Sequence, residues 1–184
     1  TEGLVYEDEN IKVEYIPTCH MENSYAILVT EGEKRVLFGG DFSYKLKKQD
    51  VPSVIEEEID GFVCELAHFT LEMIAPYLAE CDAVTFWTWN SRKNLPRLKD
   101  NLERVFELSP GQKHLGGLYL YDYGNSTELL PEQLKAQCDL YADYLKSGKL
   151  QGIIICSNCI ADIGLAASDY VRSWVQEIGD DEMR

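Results

Sequence analysis

Residues Ile16 to Ser43 read IPTCHMENSYAILVTEGEKRVLFGGDFS. Two runs rich in β-branched and aromatic residues, Ser24 to Thr30 and Lys34 to Phe38, are joined by a tight Glu31-Gly32-Glu33 link, and a third run, Ile11 to Thr18, precedes them. The pattern predicts three strands whose short links make each neighbouring pair antiparallel. The first and third strands then run parallel, which carries Cys19-His20 and Gly40-Asp41 to the same end of one sheet. An imidazole and a carboxylate delivered to one sheet edge are metal-type ligands.

Working outward, Pro52 to Glu58 predicts a short helix with proline in its first turn, and Gly61 to Glu65 a short apolar strand. A right-handed crossover returns that strand parallel to the one ending at Phe38, so Glu65 and His68 are expected at the edge already holding His20 and Asp41. A regular βα alternation follows. Helices are expected over Thr70 to Glu80, Pro96 to Leu108, Pro131 to Ser147 with Gly148 as its stop, and Leu165 to Ile178. Strands are expected over Ala83 to Trp89, Leu115 to Tyr121 and Leu150 to Cys156, the last apolar enough for burial on both faces. The fold class expected is α/β, a mixed sheet with antiparallel-linked strands at the N-terminus, parallel βα units after them and helices on the faces. Residues 1–81 and 82–184 form two parts, packed as one continuous α/β domain with a seam at Cys81-Asp82.

A chain of 184 residues is long enough to bury a sizeable core. Seventeen basic against 32 acidic residues give a net charge of −15, which repels polyanions, so neither nucleic acid nor an anionic membrane is an expected partner. No apolar run approaches the length of a membrane helix, and the acidic start is unlike a signal peptide; a soluble, cytoplasmic protein is expected. Most of the six cysteines lie in apolar surroundings and read as reduced, buried thiols. Cys156-x-x-Cys159, at a strand end, has the spacing of a redox pair or half a zinc site, although the Ile153-Ile154-Ile155 run before it reads as packing.

Parallel α/β arrangements present the carboxyl ends of their strands to ligands. Here that rule gathers His20, Asp41, Glu65, His68, Trp89, Asn90, Asp122, Asn125 and Asn158 along one rim. Asp122 and Asn125 flank Gly124, and the same residues also read as a turn.

The segments VYEDENIKVEYIPTCH, SYAILV, KRVLFGGDFS and DGFVCELAHF, in that order, resemble the C-terminal half of a small hydrolase of the metallo-β-lactamase superfamily, over about Val5 to Glu80. The resemblance implies His20 as the third metal-binding histidine, Asp41 as the aspartate bridging two metals, usually zinc, and a metal-activated hydroxide as nucleophile. His68 is the candidate for a further ligand. The family's His-x-His-x-Asp-His motif is not in the sequence, and Trp87-Thr88-Trp89-Asn90 stands where its last histidine is expected.

Downstream, DAVTFWTWN, HLGGLYLYDYGN and LQGIIICSNCIADIG, each followed by a helix, resemble the last three βα units of a TIM-type barrel, over about Asp82 to Asp180. That likeness implies a mouth lined by Trp89, Asp122 and Asn158, with Trp89 stacking on a sugar face and Asp122 as acid or nucleophile; Asn90 and Asn125, which the strand-end rule puts on the same rim, are the further substrate-binding candidates. The two likenesses together describe a fused or recombined chain. Three functions follow: a metal-dependent, hydrolase-like protein using His20 and Asp41, with zinc as the metal and the missing ligands supplied by His68 or by a second chain; a rim that binds or hydrolyses a carbohydrate or other small molecule; and a non-catalytic α/β module whose open sheet edge drives homodimer formation.

Overall fold

The computed structural model describes residues 3–18, 21–41, 59–65, 70–78, 81–156 and 163–179; for Asp41 and Glu65 it describes the backbone alone. His20, His68, Asn158, Cys159 and the expected helix over 52–58 lie outside the described residues. The chain divides into two compact units, Thr1–Ile74 and Ala75–Arg184. The class is α/β, with a mixed sheet in the first unit and a parallel sheet in the second.

The first unit is a five-stranded sheet in sequential order: β1 (Gly3–Glu7), β2 (Ile11–Pro17), β3 (Tyr25–Glu31), β4 (Lys34–Asp41) and β5 (Gly61–Glu65). The first four pair antiparallel and β5 joins β4 in parallel, as the link lengths predict. The β3–β4 link turns at Gly32, whose φ of +58° lies in the left-handed region that glycine enters at little cost. Strand alternation puts Ile16, Ala26, Leu28 and Leu37 on one buried face, with Ile59 packed against them. Asp60 fixes the entry to β5: its carboxylate accepts from the Arg35 backbone N–H at 2.9 Å and from the Lys34 ammonium. Strand β1 has no counterpart in the sequence reading. Its mostly exposed run of Leu4, Val5 and Tyr6 lacks a two-residue alternation, because the register with β2 shifts between Leu4 and Tyr6.

Helix α1 (Leu71–Leu78) runs across the division between the units. In the second unit, β6 (Ala83–Phe86), β7 (Lys113–Tyr119) and β10 (Gly152–Cys156) form a parallel sheet with β7 in the centre. Between them lie α2 (Ser91–Asn94), a 3-10 turn over Leu95–Arg97, α3 (Leu98–Leu108), a two-stranded hairpin of β8 (Tyr121–Asp122) and β9 (Thr127–Glu128), and α4 (Pro131–Lys146). Helix α5 (Ala166–Ile178) follows β10. The apolar stripes on α3 (Leu98, Leu102, Val105), α4 (Leu134, Cys138, Tyr141) and α5 (Ala167, Val171, Trp174) are spaced three or four residues apart and are all buried. Most of them share one core with Leu118, Leu120, Leu150 and Leu165, where each buried leucine is worth roughly 1.5–3 kcal/mol over exposure.

The centre of β7 is a glycine pair whose members face opposite sides of the sheet. A Cβ at Gly116 would lie 2.7 Å from the Tyr141 ring, and one at Gly117 would lie 2.4 Å from the Trp87 ring. The strand is therefore thin enough at this point for an aromatic ring to lie on each face. Tyr141, fully buried, donates from its hydroxyl to the Gly117 carbonyl at 2.9 Å, and the Gln137 side-chain amide donates to the same carbonyl at 3.1 Å.

Several boundaries move. The strand expected to reach Trp89 ends at Phe86, the one expected to reach Tyr121 ends at Tyr119, and the hairpin follows. Strand β10, read as buried on both faces, is an edge strand with Ile154 43% and Ile155 41% exposed. The strand expected to begin at Leu115 begins at Lys113, which brings His114 into β7. Its Nε2 is 2.9 Å from the Ser109 hydroxyl, its ring meets Phe106 edge-on, and burial pushes its pKa below the ordinary histidine value.

Candidate functional site

The carboxyl ends of β6 and β7 open into two short segments, 87–92 and 120–126, that are bound to one another. Asp122 is the link. It is 2% exposed, and its carboxylate accepts four hydrogen bonds: Oδ1 from the backbone N–H of Ser91 and of Asn125, both at 3.2 Å, and Oδ2 from the Arg92 N–H at 3.2 Å and the Asn125 side-chain amide at 2.8 Å. A carboxylate is acceptor-only, so four N–H donors use its capacity and compensate its removal from water.

Asn90 caps α2 by accepting from the Lys93 N–H at 3.2 Å, and the same oxygen accepts from the Asn125 amide at 3.2 Å. The Gly124 N–H donates to the Trp89 carbonyl at 3.0 Å. A Cβ on Gly124 would come within 2.8 Å of the Asn90 Cα, so glycine allows this close approach. Ser91, fully buried, donates to the Thr88 carbonyl at 3.0 Å. Thr88 is also fully buried, and its hydroxyl oxygen has no hydrogen-bond partner among the described residues.

The structure thus brings together Trp89, Asn90, Asp122 and Asn125, four of the residues expected at the rim. Trp87 stacks at a tilt on Tyr119 with ring centroids 4.9 Å apart, and Tyr119 meets Tyr123 edge-on. Trp89 is 55% exposed.

Beside the clamp lies an open cleft of about 760 Å³. Asp122 is in its wall; Arg92, Tyr121, Glu128 and Gln133 add polar groups, and Leu130, Ile163 and Leu165 an apolar strip. Leu130 and Ile163 are 59% and 67% exposed, whereas Leu165 belongs to the core. Gln133 accepts from the Leu130 N–H at 3.0 Å, which fixes the start of α4 at one side of the cleft. Trp89 does not line it. Sequence reasoning missed Arg92, Glu128, Leu130, Gln133 and Ile163, because the β8–β9 hairpin that gathers them is two residues long on each side. The short YDYGNSTE run, with Gly124-Asn125-Ser126 at its tip, is the signal that marks it.

In the first unit, β2 and β4 each pair antiparallel with β3, so they run parallel, and β4 and β5 end in register at Asp41 and Glu65. The end of β2 at Pro17 pairs with Tyr25 at that same edge. Asp41 is the only one of the three expected metal ligands among the described residues. Among those residues no group of three or more His, Cys, Asp and Glu side chains is placed to hold a metal ion, and no helix is long and apolar enough to cross a membrane.

No family model, curated protein or solved structure matches the chain.

Proposed function

We propose that the second unit binds a small molecule in the cleft beside Asp122. One observation carries the reading: an acceptor-saturated carboxylate holds the Arg92 backbone in place at the carboxyl end of a parallel sheet, next to a concavity of ligand size. Such sheet ends are where α/β proteins bind ligands. In this reading Asp122 positions the site, and Arg92, Tyr121, Glu128 and Gln133 offer the polar contacts. Thermal shift of the whole chain against neutral sugars, sugar acids, dicarboxylates and amino acids tests it. At least one class is expected to raise the melting temperature in proportion to the logarithm of its concentration, and a Leu130→Arg variant, which fills the cleft from an exposed position, is expected to abolish the rise. No shift with any class would refute it.

The strand ends of the first unit support a second reading, a metal-dependent hydrolase-like edge at Asp41, with His20 and His68 as the further ligands and zinc as the metal. The described residues do not by themselves form a set that fits a catalytic metal, so the support is the alignment of the strand ends alone. Elemental analysis followed by zinc titration is the test; a zinc content that stays near zero throughout would exclude it.

A further inference from the structure

The charges in the cleft select among ligand classes. Arg92 and Glu128 both line it, and neither side chain has an ion-pair or hydrogen-bond partner among the described residues. Some exposed charges of the second unit are paired within reach, as in Lys149 with Glu103, Lys135 with Asp139 and Arg172 with Asp169; what sets Arg92 and Glu128 apart is that both line one cleft. The third charged group of the cleft, Asp122, already accepts four N–H bonds and is not available to a ligand cation. Among the described residues the cleft therefore presents one unpaired cation and one unpaired anion, together with the exposed side chains of Leu130 and Ile163 and the buried Leu165.

Each simpler ligand leaves part of this lining unmatched. A plain anion would satisfy Arg92 but face two carboxylates, and a plain cation would leave Arg92 unpaired. A neutral sugar would use neither charge fully, and the exposed indole of Trp89, the natural platform for a sugar face, lies outside the lining. A molecule with a carboxylate, an ammonium group and an apolar side chain matches all three features. Arg92 meets the carboxylate through its planar, forked donors, Glu128 accepts from the ammonium group, and Leu130 and Ile163 cover the side chain.

Resting on the small-molecule reading above, we infer that the ligand of this cleft is a zwitterionic α-amino acid with an apolar side chain.

Isothermal titration of the whole chain with L-leucine as probe, alongside leucinamide, N-acetyl-leucine and glycine, tests the inference. Leucine is expected to bind, and each analogue, lacking the carboxylate, the ammonium group or the side chain, to bind about tenfold more weakly or worse. In Arg92→Gln the preference for leucine over leucinamide should disappear, and in Glu128→Gln the preference over N-acetyl-leucine. Both side chains are exposed, and unchanged unfolding curves for the two variants would confirm that they fold. Equal binding of leucine and leucinamide by the unaltered chain would overturn the inference, as would preferences that persist in the two variants. Binding of sugars or dicarboxylates but not leucine would overturn it while leaving the cleft reading intact; binding of nothing would overturn both.

Discussion

Replacing Asp122 with alanine should cost the second unit about 3 kcal/mol. The figure follows from which of the four donors water can reach once the carboxylate is gone. Arg92 and Asn125 are exposed, so their N–H groups regain water; Ser91 is fully buried and its N–H is stranded, at roughly 1–3 kcal/mol. The gap left by the carboxylate and the loosening of segment 120–126 from 87–92 bring the sum toward the 3–5 kcal/mol typical when one member of a buried charged network is removed. Relief from burying a carboxylate keeps it at the lower end of that range. Asp122→Asn preserves the volume and one accepting oxygen but turns an amide toward two donors, so roughly half the loss is expected.

For a chain of this length 1 kcal/mol corresponds to roughly 2–4 °C, so Asp122→Ala should melt about 6–12 °C lower. Tryptophan fluorescence is a suitable readout, since Trp87 and Trp89 belong to the clamped segment. A loss below about 1 kcal/mol, or an equal loss in the two variants, would refute the reasoning. A raised melting temperature would do so more strongly, because it would mark Asp122 as a strained functional group whose removal relieves the fold.

Gly117→Ala should destabilise by roughly 2–4 kcal/mol in urea unfolding, since the new methyl meets both the Trp87 ring and, at 2.7 Å, the Phe86 carbonyl oxygen, which cannot rotate away. Gly124→Ala should cost about 1–3 kcal/mol and shift the Trp89 emission, as the hairpin tip is forced from Asn90. His114 has a folded pKa below its unfolded value, chiefly through burial, so its neutral form contributes stability that is fully present above about pH 6.5 and lost as pH falls through that value toward the folded pKa. Urea midpoints between pH 7.5 and 5 should accordingly fall more steeply for the unaltered chain than for His114→Gln. Burial pushes the Cys138 thiol up to about 12, so mass spectrometry after mild alkylation should find Cys138 unmodified until the chain unfolds, with the partly exposed Cys64, Cys81 and Cys156 reacting first.

The elements with strong periodicity were legible in the sequence. The β3–β4 pair announces itself through Glu31-Gly32-Glu33, and α3, α4 and α5 through apolar spacings that the packed core uses as written. The parallel pairing of β4 with β5 follows from one crossover. Features made by contacts distant in sequence were not legible. Nothing near Asp122 says that its donors come from Ser91 and Arg92, thirty and more positions earlier, and Leu130 and Ile163 read as ordinary apolar residues until a two-residue hairpin gathers them round a cleft. Strand β10 misled for a physical reason: its isoleucines have the composition of a central strand but occupy a sheet edge. Of the expected site, Trp89, Asn90, Asp122 and Asn125 converge, while the cleft beside them is built largely from other residues.

The glycine pair in β7 has a consequence for how this chain can change. Positions 116 and 141 on one face, and 117 and 87 on the other, are two locks in which the size of one residue dictates the size of its partner. An exchange of bulk is open to only one of the pairs: alanine at 116 becomes tolerable once Tyr141 is shortened, whereas alanine at 117 still meets the Phe86 carbonyl oxygen at 2.7 Å after Trp87 is cut back. That exchange carries a further condition, since the Tyr141 hydroxyl also bonds the Gly117 carbonyl, so that a shortened side chain leaves Gln137 alone to satisfy it. Mutational paths through this strand should therefore open at position 116 before position 117, whose second obstacle is backbone and not side chain.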